Sequence, residues 1–215
     1  MIVRLWRGSV PAARAEEYRA YQEEVGPPGY RAIPGVRRIY MLGREVGELY
    51  EIAMLTHWDS LDAIRAFAGD PIDQARYYDR DFDFLVDPPE KVEHFEVLAS
   101  ANTIDQPGCP PERIVRLWHR GVPLERWDEA RRLESDVGVR AYATLPGNRG
   151  VYLVGRERGL EYELVTVTLW DSLDAICAFA GDPVYRRRGF DGLCEAPEAV
   201  EHFTVLFRMV VGGAG

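Results

Sequence analysis

The chain is poor in cysteine and histidine. Of its 215 residues three are Cys and four are His. Cys109, Cys177 and Cys194 all fall in the second half, and no C-x-x-C pair occurs. That speaks against a disulfide framework and fits a reduced, cytoplasmic setting. His57, His94, His119 and His202 stand far apart, without the spacing of metal ligands. No apolar run approaches the roughly 18 residues of a membrane span, and no basic segment leads into an apolar core at the N-terminus. Neither a membrane association nor secretion is therefore expected. Positive charge is also in deficit. With a net charge of -9 and scattered Lys and Arg, the chain would repel a phosphate backbone, so nucleic acid is not an expected partner. There is no Gly-rich phosphate loop after a strand and no G-x-S-x-G elbow.

What is present is repetition. Trp58-Asp59-Ser60-Leu61-Asp62-Ala63-Ile64 recurs at Trp170 to Ile176, and Ala66 to Pro71 recurs at Ala178 to Pro183. At the same offset Ile2-Val3-Arg4-Leu5-Trp6 returns as Ile114 to Trp118, Val10-Pro11 as Val122-Pro123, and Pro34-Gly35 as Pro146-Gly147. Near the end, Val92-Glu93-His94-Phe95 returns as Val200 to Phe203 at a shorter offset. The deletion this implies falls among Asp79, Arg80 and Asp81, a stretch that reads as a surface loop. Collinear copies of this length imply duplication of a folded unit. The expected organisation is a first unit over 1-99, a linker over 100-112, a second unit over 113-211 and a disordered tail over 212-215.

Within each copy the periodicity changes in a fixed order. Residues 2 to 10 alternate and form a first strand. Tyr18, Tyr21 and Val25 recur at helical spacing, with Ala130, Leu133 and Val137 in the second copy, until Gly26 and Pro27-Pro28 stop the helix. Strands follow over 36 to 44 and 49 to 57. Asp59 or Ser60 caps a second helix that buries Leu61, Ile64 and Phe67, and a last strand runs from about Lys91 to Ala99. The unit is β-α-β-β-α-β, so the fold class is α+β with two ferredoxin-like units.

Alternation splits each strand into two faces. One face holds Val3, Leu5, Ala53, Leu55, Phe95 and Val97 and is uniformly apolar, so it is expected beneath the helices. The opposite face mixes Arg4, Trp6, Thr56, Trp58, His94 and Glu96 with apolar residues. Its counterparts are Arg116, Trp118, Thr168, Trp170 and His202. Two such faces closing on each other would make an interior cavity, with Arg4 across from His94 and Trp58 and Trp170 at its rim. The histidines titrate near neutrality, which makes His94 and His202 the candidate proton carriers and the other residues candidates for binding.

The repeated unit, the Trp-Asp-Ser-Leu entry to its second helix and the terminal Val-Glu-His-Phe-x-Val-Leu strand resemble the dimeric α/β-barrel superfamily. They are similar in particular to antibiotic biosynthesis monooxygenase-like proteins. The resemblance covers 2 to 99 and 113 to 208. It implies a pseudo-dimeric α/β barrel made within one chain and leaves a further homodimer open. It also implies a small apolar or aromatic ligand and, in some relatives, oxygenation of an enolisable substrate with no cofactor. A non-catalytic, stress-related ligand-binding barrel is the alternative. Haem degradation fits less well: Asn102 and Asn148 are the chain's asparagines, and neither lies on a first strand.

Overall fold

The computed structural model describes residues 1-102, 113-180 and 199-211. The chain divides into two compact units, Met1–Phe95 together with the segment from Val205 onward, and Glu96–Thr204. The expected tail, Cys109, Cys194 and the linker beyond Asn102 lie outside the described residues.

The first half runs β1 (Ile2–Pro11), α1 (Ala15–Arg31), β2 (Val36–Val46), β3 (Leu49–Trp58), α2 (Leu61–Ala68) and β4 (Glu93–Asn102). The second runs β5 (Ile114–Pro123), α3 (Trp127–Leu133), α4 (Val139–Ala143), β6 (Asn148–Arg158), β7 (Glu161–Trp170), α5 (Leu173–Ala180) and β8 (Ala199–Val210). The strands hydrogen-bond in the order β1-β3-β2-β8-β5-β7-β6-β4, and the ladder closes as a barrel. The duplication is visible in the register. Ile2 pairs with Trp58 and Arg4 with Thr56, as Ile114 pairs with Trp170 and Arg116 with Thr168. Arg116 also faces His202 across β5 and β8, as expected from the strand order.

Two local details explain repeated words in the sequence. Ser60 has an extended backbone, and its hydroxyl accepts the Ala63 N–H at 3.2 Å, which caps α2; Ser172 does the same for Ala175 in α5. Asp59 instead forms a two-point ion pair with Arg37 at 2.6 and 2.7 Å. Pro34-Gly35 recurs because a Cβ on Gly35 would stand 2.6 Å from that of Ala63, and φ there is +84°. Gly147 and Ala175 repeat this close approach. Only glycine lets α2 seat so near the chain that enters β2.

Several expectations need correction. Pro27-Pro28 does not end α1, which continues to Arg31. Proline removes two N–H donors but keeps a helical φ, and the residues four positions back, Glu23 and Glu24, are exposed to water. In the second copy the matching helix loosens into a π-type segment over Glu134–Gly138 before α4. Leu61, Leu133 and Val137 are exposed rather than part of the buried stripes. The strand β4 runs on to Asn102, into the stretch read as linker.

The largest correction concerns the faces. Tyr18 and Tyr21 of α1 pack on Trp6, Met41 and Ile52, while Ile64 of α2 packs with Ile39 and Trp58. The helices therefore cover the mixed face. Val3, Leu5, Ala53, Leu55 and Phe95 are equally buried but point the other way. That opposite face is not free of polar groups either: His57 is fully buried on it, and Glu51 pairs there with Arg7 and Arg44. A helix laid on a sheet can bring hydroxyls and carbonyls to meet buried polar groups, and the helix-covered face tolerates Arg4, Thr56 and Arg116.

Candidate functional site

In the first unit the cleft between sheet and α1 is not completely filled. An internal space of about 40 Å³ is lined by Arg4 and Trp6 of β1, Met54 of β3, and Tyr18, Gln22 and Tyr30 of α1. Its far wall is Arg76, Tyr77, Tyr78 and Asp81, from the connection between α2 and β4. A space of this size takes water or dioxygen and is too small for an aromatic ring.

Asp81 is the centre of its polar network. The side chain is 3 % exposed although it lies in the stretch expected as a surface loop. Tyr18 donates its hydroxyl to Oδ1 at 3.1 Å, Gln22 donates Nε2 to the same oxygen at 2.6 Å, and the Tyr78 N–H reaches Oδ2 at 2.7 Å. Those three bonds favour the anion, yet burial outweighs them and holds the carboxyl above the usual aspartate range. Burial and the neighbouring Asp81 charge likewise keep the Tyr18 phenol protonated. Tyr30 is pushed up to about 12, again chiefly by burial.

Arg4 supplies the opposite charge. It is 5 % exposed, its Nη2 donates to the Gln74 carbonyl at 2.9 Å, and its guanidinium lies 5.4 Å from the Phe67 ring centroid. Its Nε, fully buried, meets no acceptor among the described residues. The cleft thus joins a buried carboxyl biased toward protonation to a buried cation with a donor to spare. Trp6 closes one side, donating its indole N–H to the Tyr77 hydroxyl at 3.2 Å. Gly8, two residues along, leaves the room that the ring needs, since a Cβ there would lie 2.5 Å from it.

Among the residues singled out in the sequence, Arg4 and Trp6 line this space. Thr56 and Trp58 do not. Trp58 is fully buried under α2 against Phe67, and its N–H bonds Thr56 Oγ1 at 2.9 Å while Thr56 donates to the Arg4 carbonyl. Thr168 and Trp170 repeat that couple with bonds of 3.4 and 2.8 Å. Both tryptophans are therefore core residues rather than a rim. Glu96 is exposed on the part of β4 that pairs with Gly155, beside Tyr162, and does not join Arg4. His94 is half-buried on β4, close enough to Asp73 to favour its anion, and is absent from the lining of the inner space. His202 is buried opposite Arg116.

Sequence reasoning missed Asp81, Tyr18 and Gln22 as a group. The available signal was the deletion itself: the segment lost from the second copy is the one that carries the first copy's buried acid. Among the described residues no group of three or more His, Cys, Asp or Glu is placed to hold a metal ion, and no helix is long and apolar enough to cross a membrane.

The second unit fills the corresponding cleft differently. Arg120 stands in place of Gly8 and Glu134 in place of Gln22, both about 2 % exposed, and they form an ion pair. Arg120 also donates to Thr166 Oγ1 at 2.6 Å and lies 3.8 Å from the centroid of Trp118, the counterpart of Trp6. Ala130 replaces Tyr18. Burial lowers the affinity of Arg116 for its proton, and Tyr142 beside it partly offsets this.

No family model matches the sequence, and no curated protein is similar to it. Solved structures do share its fold. A presumed monooxygenase from Fusobacterium nucleatum superposes with a TM-score of 0.70 at 13% identity, over 99% of this chain and 95% of that one. A presumed monooxygenase from Lactobacillus acidophilus gives 0.68 at 14% identity, over 98% and 96%. An anthrone oxidase-like protein gives 0.62 at 15% identity, over 99% and 94%. From end to end the chain shares its fold with these structures.

Proposed function

We propose that the sheet-to-helix cleft of the first unit binds a small enolisable aromatic molecule and oxygenates it without a cofactor. The observation that carries this reading is Asp81, a buried carboxyl whose affinity for a proton is raised and which shares one cleft with Arg4. A base must hold a proton well enough to take it and weakly enough to return it, and burial tunes a carboxyl toward that range. In the proposed reaction the Asp81 carboxylate removes a proton from a methylene group next to a carbonyl. The guanidinium of Arg4 holds the enolate oxygen. The carbanion then reduces dioxygen, forming a peroxide at carbon. The peroxide takes that proton back from Asp81, and the freed carboxylate then removes the second hydrogen of the same carbon as a proton. The C–H electron pair forms the C=O bond as the O–O bond breaks, and the departing hydroxide takes the proton from Asp81 and leaves as water. One CH₂ and one O₂ become one C=O and one H₂O, so the balance closes with dioxygen as the sole oxidant.

Oxygen uptake with anthrone as substrate tests this. Asp81→Asn keeps the size and one acceptor oxygen, gives up an acceptor on the other side, and removes the base; it should lower the rate by about 100-fold or more. His94→Ala and His202→Ala, run beside it, test the two histidines for a part in the proton transfer. Uptake by the wild type that survives Asp81→Asn would remove Asp81 from this role. An absence of wild-type uptake with retained binding would favour a ligand-binding barrel that performs no reaction.

A further inference from the structure

Outside the inner space lies a second, much larger cleft that the reaction above does not use. It measures about 500 Å³ and is formed by the two arms of the connection between α2 and β4. One arm brings Pro71, Gln74, Ala75 and Tyr77, the other Phe82, Pro88 and Pro89. Tyr77 lines both cavities. Its ring stands 6.1 Å from that of Trp6 on the inner side and 5.1 Å from that of Phe82 on the outer side. Its hydroxyl accepts the Trp6 N–H and donates to the Pro89 carbonyl, which ties the ring across the passage.

We infer that the outer cleft is the entry subsite for a flat aromatic ligand of two or three fused rings and that Tyr77 is the gate between it and the inner space. The inference rests on the proposed function for the identity of the ligand. The cleft's volume lies in the range of small-molecule pockets, and its surface is chiefly ring and proline, the flat apolar lining that such a ligand needs. Pro88 and Pro89 keep that wall stiff. Lys91 and Asp73, paired at 2.8 Å, put the charge at the solvent end, where a polar substituent would remain wet. The inner space is too small to admit a ring while Tyr77 is tied down, so entry requires the hydroxyl to release both partners. Half-buried Tyr77 can swing outward toward exposed Phe82 without disturbing a sheet strand.

The test is anaerobic binding of anthrone by stopped flow, where no oxygenation follows. Tyr77→Phe keeps the ring and loses both ties, so association and dissociation rates should each rise about ten-fold while their ratio changes little. A residue that served only as a wall would alter dissociation alone. Phe82→Arg, at a site 61% exposed where a polar side chain stays in water, places a charge in the cleft and should slow association about ten-fold. If both variants bind with wild-type rates while Asp81→Asn still abolishes oxygen uptake, the gate is wrong and the proposed reaction stands. If the wild type neither binds nor oxidises anthrone, both fall together.

Discussion

The two clefts between sheet and helix begin from the same sequence and end in opposite states. In the first unit, Gly8, Gln22 and Tyr18 leave a space with an unspent donor on Arg4 and a buried acid on Asp81. In the second unit, Arg120 and Glu134 turn the same positions into a buried ion pair capped by Trp118 and Thr166. A duplicated domain needs to keep only one working cleft. The other is free to fill with internal packing, and the differences sit at the residues that line the first unit's cleft. The Thr-Trp couple and the Gly-Ala close approach, which serve the fold alone, are identical in both units.

Breaking the ion pair is the largest structural test of that contrast. Glu134→Ala leaves Arg120 buried without its carboxylate and should cost about 3–5 kcal/mol in urea unfolding. The double variant Arg120→Gly with Glu134→Gln rewrites the second cleft in the first cleft's residues and should recover most of the loss, because the stranded charge is gone. Equal destabilisation by the single and the double variant would mean that the pair is not what holds this cleft closed. A smaller effect should be shared by both units. Gly35→Ala must accept a left-handed backbone and a clash with Ala63, and should cost about 2 kcal/mol, with Gly147→Ala close to it. A marked difference between them would show that the copies diverge even where their geometry agrees.

The smallest test is the opposite response of the units to acid. The Asp81 carboxyl is raised on folding, so the folded unit binds its proton more tightly than the unfolded chain does. Its contribution therefore favours folding at low pH and is lost as pH rises through the usual aspartate range and above it. Glu163 in the second unit behaves the other way. The His119 ring, then Arg156, hold its carboxyl down to about 2 from an ordinary 4.5. Its contribution is present above pH 4.5 and disappears as pH falls toward about 2. Amide exchange measured across that interval should show β7 losing protection before α1, which carries the Asp81 partners Tyr18 and Gln22. The reverse order would contradict the assignment of these two carboxyls.

The fold was largely legible because it rests on repeated, local signals: alternating strands, a serine cap and a Pro-Gly turn, each written twice. The assignment of faces failed for a physical reason. Alternation separates two faces but does not say which one the helices cover, and neither is purely apolar: His57 and Glu51 share one with Leu55, and Arg4 shares the other with Met54. Arg4 and Trp6 were found from polarity on a mixed face, although they line a cleft under α1. Asp81 was overlooked because aspartate beside aspartate and arginine looks like surface. Only the contacts from Tyr18 and Gln22, distant in the chain, show that it is inside. Thr56 and Trp58 attracted notice through chemistry that they spend on each other.

The neighbours of Trp6 and Trp118 also make the protein its own spectroscopic ruler. One indole donates to a phenol at the edge of a space, while the other is fully buried with a guanidinium over its ring. Emission from Trp6 should respond to whatever enters the first cleft and that from Trp118 should not. Trp58 and Trp170, matched in burial and in their threonine partners, provide a common background against which the two can be read.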